Sequence, residues 1–177
     1  MISDKAKNQS SQGFTKSSYK SWKDSESLFE ELTGAAPTDR LHNLQHVDFV
    51  WGKWCVDVKG FKKSQREGYV LVEFLNVQGR GGWASKQAKS THIAFQMEDH
   101  FIIVAKNELP DHTMSLAGPF TQDKVKRSHR PQKDGYGPVA NQYLGREGRR
   151  DVYVYIARDE LHKIPYEILP IPKSLLT

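Results

Sequence analysis

Cysteine is nearly absent: Cys55 is the single one in 177 residues, which excludes an internal disulfide framework and a zinc ribbon. Long apolar runs are absent too, since none approaches the roughly 18 residues that a membrane span requires. Met1 to Lys20 lacks the apolar segment of a signal peptide. Together these absences predict an intracellular protein, cytoplasmic or nucleoid-associated, with no membrane partner. Hydrophobic residues make up only 37% of the chain, low for a globular protein but enough for one core. What the chain does carry is positive charge. Its formal net charge is +5 and its pI about 9.2, a balance that favours a polyanionic partner.

The pattern along the chain predicts a polar tail over residues 1–20 and a single domain over residues 21–177. A helix is expected from about Ser21 or Asp24 to Thr33, with Trp22, Leu28, Phe29 and Leu32 as its apolar stripe and Gly34 as its C-cap. Tyr69 to Val77 is the strongest strand signal and ends at the glycine-rich turn Gly79-Arg80-Gly81-Gly82. A short helix is expected over Trp83 to Ser90. Thr91–Gln96 and Phe101–Ala105 read as a strand pair, and Asp151–Ala157 as a later strand. Residues 110–150 read as a basic loop or flap, irregular above all from Gln122 to Arg150. Ile164 to Thr177 reads as an extended tail. Ile103-Val104-Ala105-Lys106-Asn107-Glu108-Leu109 and Tyr155-Ile156-Ala157-Arg158-Asp159-Glu160-Leu161 echo one another, each as a strand running into an Asn or Asp cap, a similarity read as chance rather than as a duplicated unit.

The most informative stretch is Asp48-Phe49-Val50-Trp51-Gly52-Lys53-Trp54-Cys55-Val56-Asp57-Val58-Lys59. Aromatic and β-branched residues flank Gly52-Lys53, a good type II′ turn. Folded there, Trp51 faces Trp54, Val50 faces Cys55, Phe49 faces Val56, and Asp48 faces Asp57. Directly opposite residues share one sheet face, and Lys59 returns to that face two residues after Asp57. Two carboxylates and one ammonium then meet. Like charges directly opposite destabilise a sheet, so the pair calls for compensation by a divalent cation, by Lys59, or by solvent on a polar face. Cys55 falls in the strand alternation and reads as a small strand residue.

Further candidates surround this centre. Glu73 lies in an otherwise apolar run, as a third acid or as an outward-facing strand residue. Glu26 and Glu31 flank the helix stripe, while Glu30 points more directly away from it. His42 and His46 have the spacing of helical zinc ligands, but the segment leads into a strand, so His46 reads as a polar neighbour of the acids or a phosphate contact. Basic residues fall into clusters. Lys62, Lys63 and Arg66 form one, Lys124 to Lys133 with Arg127 and Arg130 another, and Arg146, Arg149 and Arg150 a third. With Arg80 these suit phosphates along a duplex. Tyr136 and Tyr143, between the last two clusters, are placed to stack on bases.

Asp48, then Asp57-Val58-Lys59 across a short hairpin after a glutamate-bearing helix, resembles the PD-(D/E)XK nuclease superfamily, the restriction-endonuclease-like fold. Val72-Glu73-Phe74-Leu75-Asn76-Val77-Gln78-Gly79, followed by Gly82-Trp83, resembles small nuclease-like proteins of phages and mobile elements. Val47 stands where the proline of the motif would be. The resemblance implies an α/β fold with an αβββαβ core, a mixed central sheet and a basic C-terminal extension. It implies a Mg²⁺-dependent endodeoxyribonuclease, with Mn²⁺ as a substitute, and DNA as partner to a monomer or homodimer. Asp48, Asp57 and the Val58 carbonyl would hold the metal, and Lys59, with Glu73 and Glu26, would complete the site. A non-catalytic nucleic-acid-binding module and an interaction or inhibitor protein of a mobile element are the competing expectations.

Overall fold

The computed structural model describes residues 16–39, 45–128, 133–134 and 137–176, with side chains at 24–39, 45–128 and 138–176. Met1–Thr15, His42, Arg130 and Tyr136, and the Trp22 side chain, lie outside the described part. The elements run α1 (Lys16–Thr33), β1 (Ala36–Pro37), β2 (Phe49–Trp51), β3 (Trp54–Lys59), α2 (Lys63–Arg66), β4 (Tyr69–Leu75), β5 (His92–Gln96), β6 (His100–Ala105) and α3 (Glu108–Ala117). The later strands are β7 (Lys126–Ser128), β8 (Lys133–Asp134), β9 (Gly137–Pro138), β10 (Tyr143–Arg146), β11 (Val152–Ala157) and β12 (Tyr166–Pro170). The class is α/β with mixed sheets and few helices. Among the described residues no helix is long and apolar enough to cross a membrane.

Two sheets organise the chain. One has the strand order β1-β2-β3-β5-β6-β12, antiparallel except for the parallel pair β3–β5; the other has the order β4-β11-β10-β7. Period-2 alternation gives the first sheet two apolar faces. Phe49, Val56, Val58, Ala94, Phe101 and Ile103 pack beneath Phe29 of α1, with Leu28 and Leu32 beside it. Ile93, Phe95, Ile102 and Val104 pack on the opposite side against Val70, Val72, Val152, Val154 and Ile156 of the second sheet, with Leu109 of α3. The result is a helix, a sheet and a second sheet in three layers.

Several expectations are corrected. Helix α1 begins at Lys16, inside the expected tail, and ends where expected, with Gly34 at φ +62° donating its N–H to the Glu30 carbonyl. Tyr69–Leu75, expected in one central sheet with the hairpin, pairs instead with β11 in the second sheet. The parallel neighbour of β3 is β5, reached by a long connection that contains the whole of β4. Trp83 to Ser90 forms turns, with no helix. The expected flap contains α3, a 3₁₀ turn at Gln122–Lys124 and strands β7 to β10. Here β7 pairs in parallel with β10, a tertiary contact that no local periodicity announces. The tail contributes edge strand β12. Of the echoed segments, the first runs into α3 with Asn107 at its N-cap, and the second into a 3₁₀ helix over Arg158–Lys163.

Candidate active site on the acidic hairpin

The hairpin forms three of the four expected pairs, Phe49↔Val56, Val50↔Cys55 and Trp51↔Trp54; the fourth, Asp48 directly opposite Asp57, is not part of the ladder, which ends at Phe49. Gly52 takes φ +58°, the value that the first central position of a type II′ turn demands. One step beyond the paired residues, the Asp48 N–H donates to the Val56 carbonyl at 2.9 Å. The Val58 N–H donates to Asp48 Oδ2 at 2.8 Å. Asp48 is thus tied to the β3 backbone on both sides of Asp57. Strand alternation points Val56 and Val58 under α1, which turns Asp57 and Lys59 to the inter-sheet side with Ile93 and Phe95.

The acids are buried, Asp48 with 8% and Asp57 with 2% of its surface exposed. Lys59 Nζ donates to Asp57 Oδ1 at 2.6 Å. Asp57 Oδ2 is buried, and the Asp48 carboxyl lies against Asp57 so that, when protonated, Asp48 donates to it. Burial, then the charge of Asp57, pushes the Asp48 carboxyl up to about 7, against the pull of Lys59 and the Val58 N–H. Burial also raises Asp57, opposed first by the Lys59 charge. Two buried carboxyls that resist ionising together form a strained anionic centre with one ammonium attached.

Of the helix glutamates, Glu26 is the one whose charge reaches Asp57, and its Oε1 is out of contact with solvent. Glu30 and Glu31 are exposed. The charge of Lys59 also reaches Glu73 on β4. Burial raises its pKa, while the charges of Lys59 and Lys62 and a hydrogen bond from the Trp83 N–H lower it. His46 is half-buried at φ +60° beside Asp48; burial first, then Lys59, holds its pKa down. Among the described residues, no three or more His, Cys, Asp or Glu side chains form a group spaced to hold a metal ion. The oxygen donors at this centre are Asp48 and Asp57, with the adjoining Val58 carbonyl in the same strand.

Two residues were missed in the sequence. Lys106 is 8% exposed, and its Nζ donates to the carbonyls of Ser85 and Ala88 at 2.8 and 2.7 Å. The Asp57 charge raises its pKa against a larger lowering by burial. A lysine directly after the apolar run Phe101–Ala105 was the available signal. Trp83 stands with its ring centroid 5.2 Å from Lys59 Nζ.

The basic candidates divide. Lys62, Lys63 and Arg66 are exposed on and before α2, Lys63 pairing with Glu67 at 3.6 Å and Arg66 lying over Phe61. Arg80, Arg149 and Arg150 are exposed. The turn carrying Arg149 and Arg150 meets the glycine-rich turn, where the Arg150 N–H donates to the Val77 carbonyl at 3.4 Å and its side chain packs over Gly79. Arg127 is a brace: its guanidinium donates to the carbonyls of Arg149 at 2.8 Å and Asp151 at 3.2 Å. Tyr143 cannot stack on bases, because it is buried among Phe74 and Phe120 with its hydroxyl donating to the Gly118 carbonyl. Compared with known proteins, the chain matches no protein-family model, no curated protein and no solved structure.

Proposed function

We propose that this chain is a metal-dependent DNA endonuclease, with a restriction-endonuclease-like site carried by the β2–β3 hairpin. The observation that supports it most is that two buried carboxyls share a single ammonium: Lys59 holds one oxygen of Asp57, and the buried Asp48 carboxyl lies against Asp57 with its pKa pushed up to about 7. Such a centre is costly to ionise, and a divalent cation removes the cost. The donors suit Mg²⁺, or Mn²⁺ in its place, since all are oxygens. Asp48, Asp57 and the Val58 carbonyl would hold the ion. When bound, it would supply Lewis-acid polarisation of a phosphate and a more acidic water.

The chain's own residues then divide the work. Asp48 is held by the Val58 N–H, which donates to its Oδ2. Lys59 carries an ammonium to the acid pair, where it stabilises negative charge developing on a phosphate. Glu26 adds negative charge behind Asp57. Arg80, Arg149 and Arg150, exposed on adjoining turns, hold the phosphate backbone without reading bases.

Incubation of the purified chain with supercoiled plasmid and branched DNA, in Mg²⁺, Mn²⁺ or EDTA, tests the reading. Nicking or linearisation in Mg²⁺ that EDTA abolishes is expected. DNA binding without cleavage in either metal would turn the reading to a non-catalytic binding module.

A further inference from the structure

Trp83 follows the glycine-rich turn and is held from both sides. The Gly82 N–H donates to the Phe74 carbonyl at 2.9 Å and the Ala84 N–H to the Glu73 carbonyl at 3.1 Å. A side chain at position 82 would lie 2.6 Å from the Glu73 carbonyl oxygen, so only glycine lets the loop lie this close on β4. The Trp83 N–H reaches the Glu73 carboxylate. Downstream, the buried Lys106 ammonium ties down the carbonyls of Ser85 and Ala88. The indole packs edge-to-face on Phe95, with centroids 5.8 Å apart. Its ring is therefore a fixed wall, and the Lys59 ammonium stands over it.

We propose that Trp83 and Glu73 form a cradle that keeps the Lys59 ammonium at the acid pair, with Trp83 as a positioning residue for Lys59. The assignment of Lys59 to catalysis rests on the nuclease reading above. A lysine is a strongly hydrated charge on a flexible stem, with about 2 kcal/mol of rotamer entropy drawing it into solvent. With Asp57 as its sole partner, Lys59 would be repelled from the site once a divalent cation took the Asp57 oxygens. The indole face attracts a cation whatever Asp57 binds. Glu73, whose charge also reaches Lys59, supplies the replacement anion. The cradle thus lets the ammonium and a metal ion share a small anionic site.

The test uses the full chain labelled with ¹³C-lysine, the Lys59 signals being identified by their loss in Lys59→Arg. Ring current from Trp83 is expected to move the Lys59 ε-methylene protons upfield. The shift should persist when MgCl₂ is added, survive in Trp83→Phe, and vanish in Trp83→Leu. In Glu73→Gln it should be present without MgCl₂ and diminish when MgCl₂ is added. On plasmid DNA, Trp83→Leu should lower kcat about tenfold at unchanged KM, as loss of a desolvated cation–π contact implies, and Trp83→Phe should restore most of it. Ordinary Lys59 shifts in the wild type, or an upfield shift that disappears with MgCl₂, would overturn the cradle. A wild type that keeps the shift in MgCl₂ yet cleaves no DNA would support the cradle and sink the nuclease reading instead.

Discussion

Two buried aspartates, Asp57 and Asp151, each sit beside a basic side chain, and they are finished very differently. Asp151, 1% exposed, accepts the Arg146 backbone N–H at 3.2 Å on one oxygen and Arg146 Nε at 2.6 Å on the other. Arg127 braces the same turn by donating to its carbonyls. Asp57 has Lys59 on one oxygen and, where Asp151 has a second basic or N–H donor, only another buried carboxyl, Asp48, against it. A complete set of partners is what a structural ion pair needs to repay its desolvation. An incomplete set costs stability and persists where it does something else. The cost at the hairpin is what the proposed site would account for, while the 146–151 turn is accounted for by its own ion pair.

The largest expected effect separates the two aspartates by outcome. Asp57→Ala and Asp48→Ala should each lower cleavage by about 10³-fold or more, the loss expected when several kcal/mol of metal-assisted stabilisation disappears. Both variants should still fold, as judged by circular dichroism and urea titration. Asp151→Ala should do the reverse, removing about 3 kcal/mol of stability in urea by leaving a turn unpaired, while its folded fraction still cuts. Near-wild-type cleavage in either hairpin variant would collapse the contrast.

Next in size is Lys59→Met, expected to lower turnover by about 10²-fold while calorimetry still detects Mg²⁺ binding, because the ammonium is not a metal ligand. Equal turnover of variant and wild type would return Lys59 to the standing of Arg146, a charge that only balances its aspartate.

A smaller effect concerns pH in EDTA. Asp48 has an ordinary value of 3.8, raised in the fold to about 7. Between those values the folded chain holds the extra proton. The stability this group contributes is full below pH 3.8 and is lost as pH rises through about 7. Asp48→Asn keeps an acceptor for the Val58 N–H and removes the charge. It should stabilise the metal-free chain at pH 8 by on the order of 1–3 kcal/mol and flatten this part of the profile. Urea titrations at pH 5 and pH 8 check it; an identical profile for variant and wild type would mean that Asp48 is not strained.

The smallest expected effect lies in binding. Replacing Arg149 and Arg150 with Ala should weaken binding to unrelated duplexes alike and flatten the log affinity–log salt slope by about one unit for each lost phosphate contact. Loss confined to one sequence would show base reading instead.

The hairpin was legible in the sequence because its information is local. Gly52 sets the turn, and the turn sets the register as far as Phe49 and Val56; Asp48 then reaches Asp57 through its own bonds to the Val56 carbonyl and the Val58 N–H rather than as a ladder pair. The end of α1 was legible for the same reason, through Gly34. Less of the rest could be read. The start of α1 was hidden because Lys16–Lys20 is polar and α1 draws its burial from the sheet further along. Strand β4 had a clear strand pattern, but nothing local says that its partner is β11. Tyr143 read as a base-stacking residue from composition alone and became a core side chain, while Arg127, still exposed, also braces the 146–151 turn once β7 and β10 pair.

By itself, the sequence determined which residues could make a charged hairpin, since a two-residue turn leaves only one register for the residues beside it. The tertiary structure decided which charges are used up. It chose Glu26 over Glu30 and Glu31 by the rotation of α1 on the sheet, brought Trp83 and Lys106 to a site they lie far from in the chain, and paired Asp151 while leaving Asp57 incomplete. Burial and hydrogen bonding depend on packing between distant segments, and these set the cost of every charge the sequence supplies.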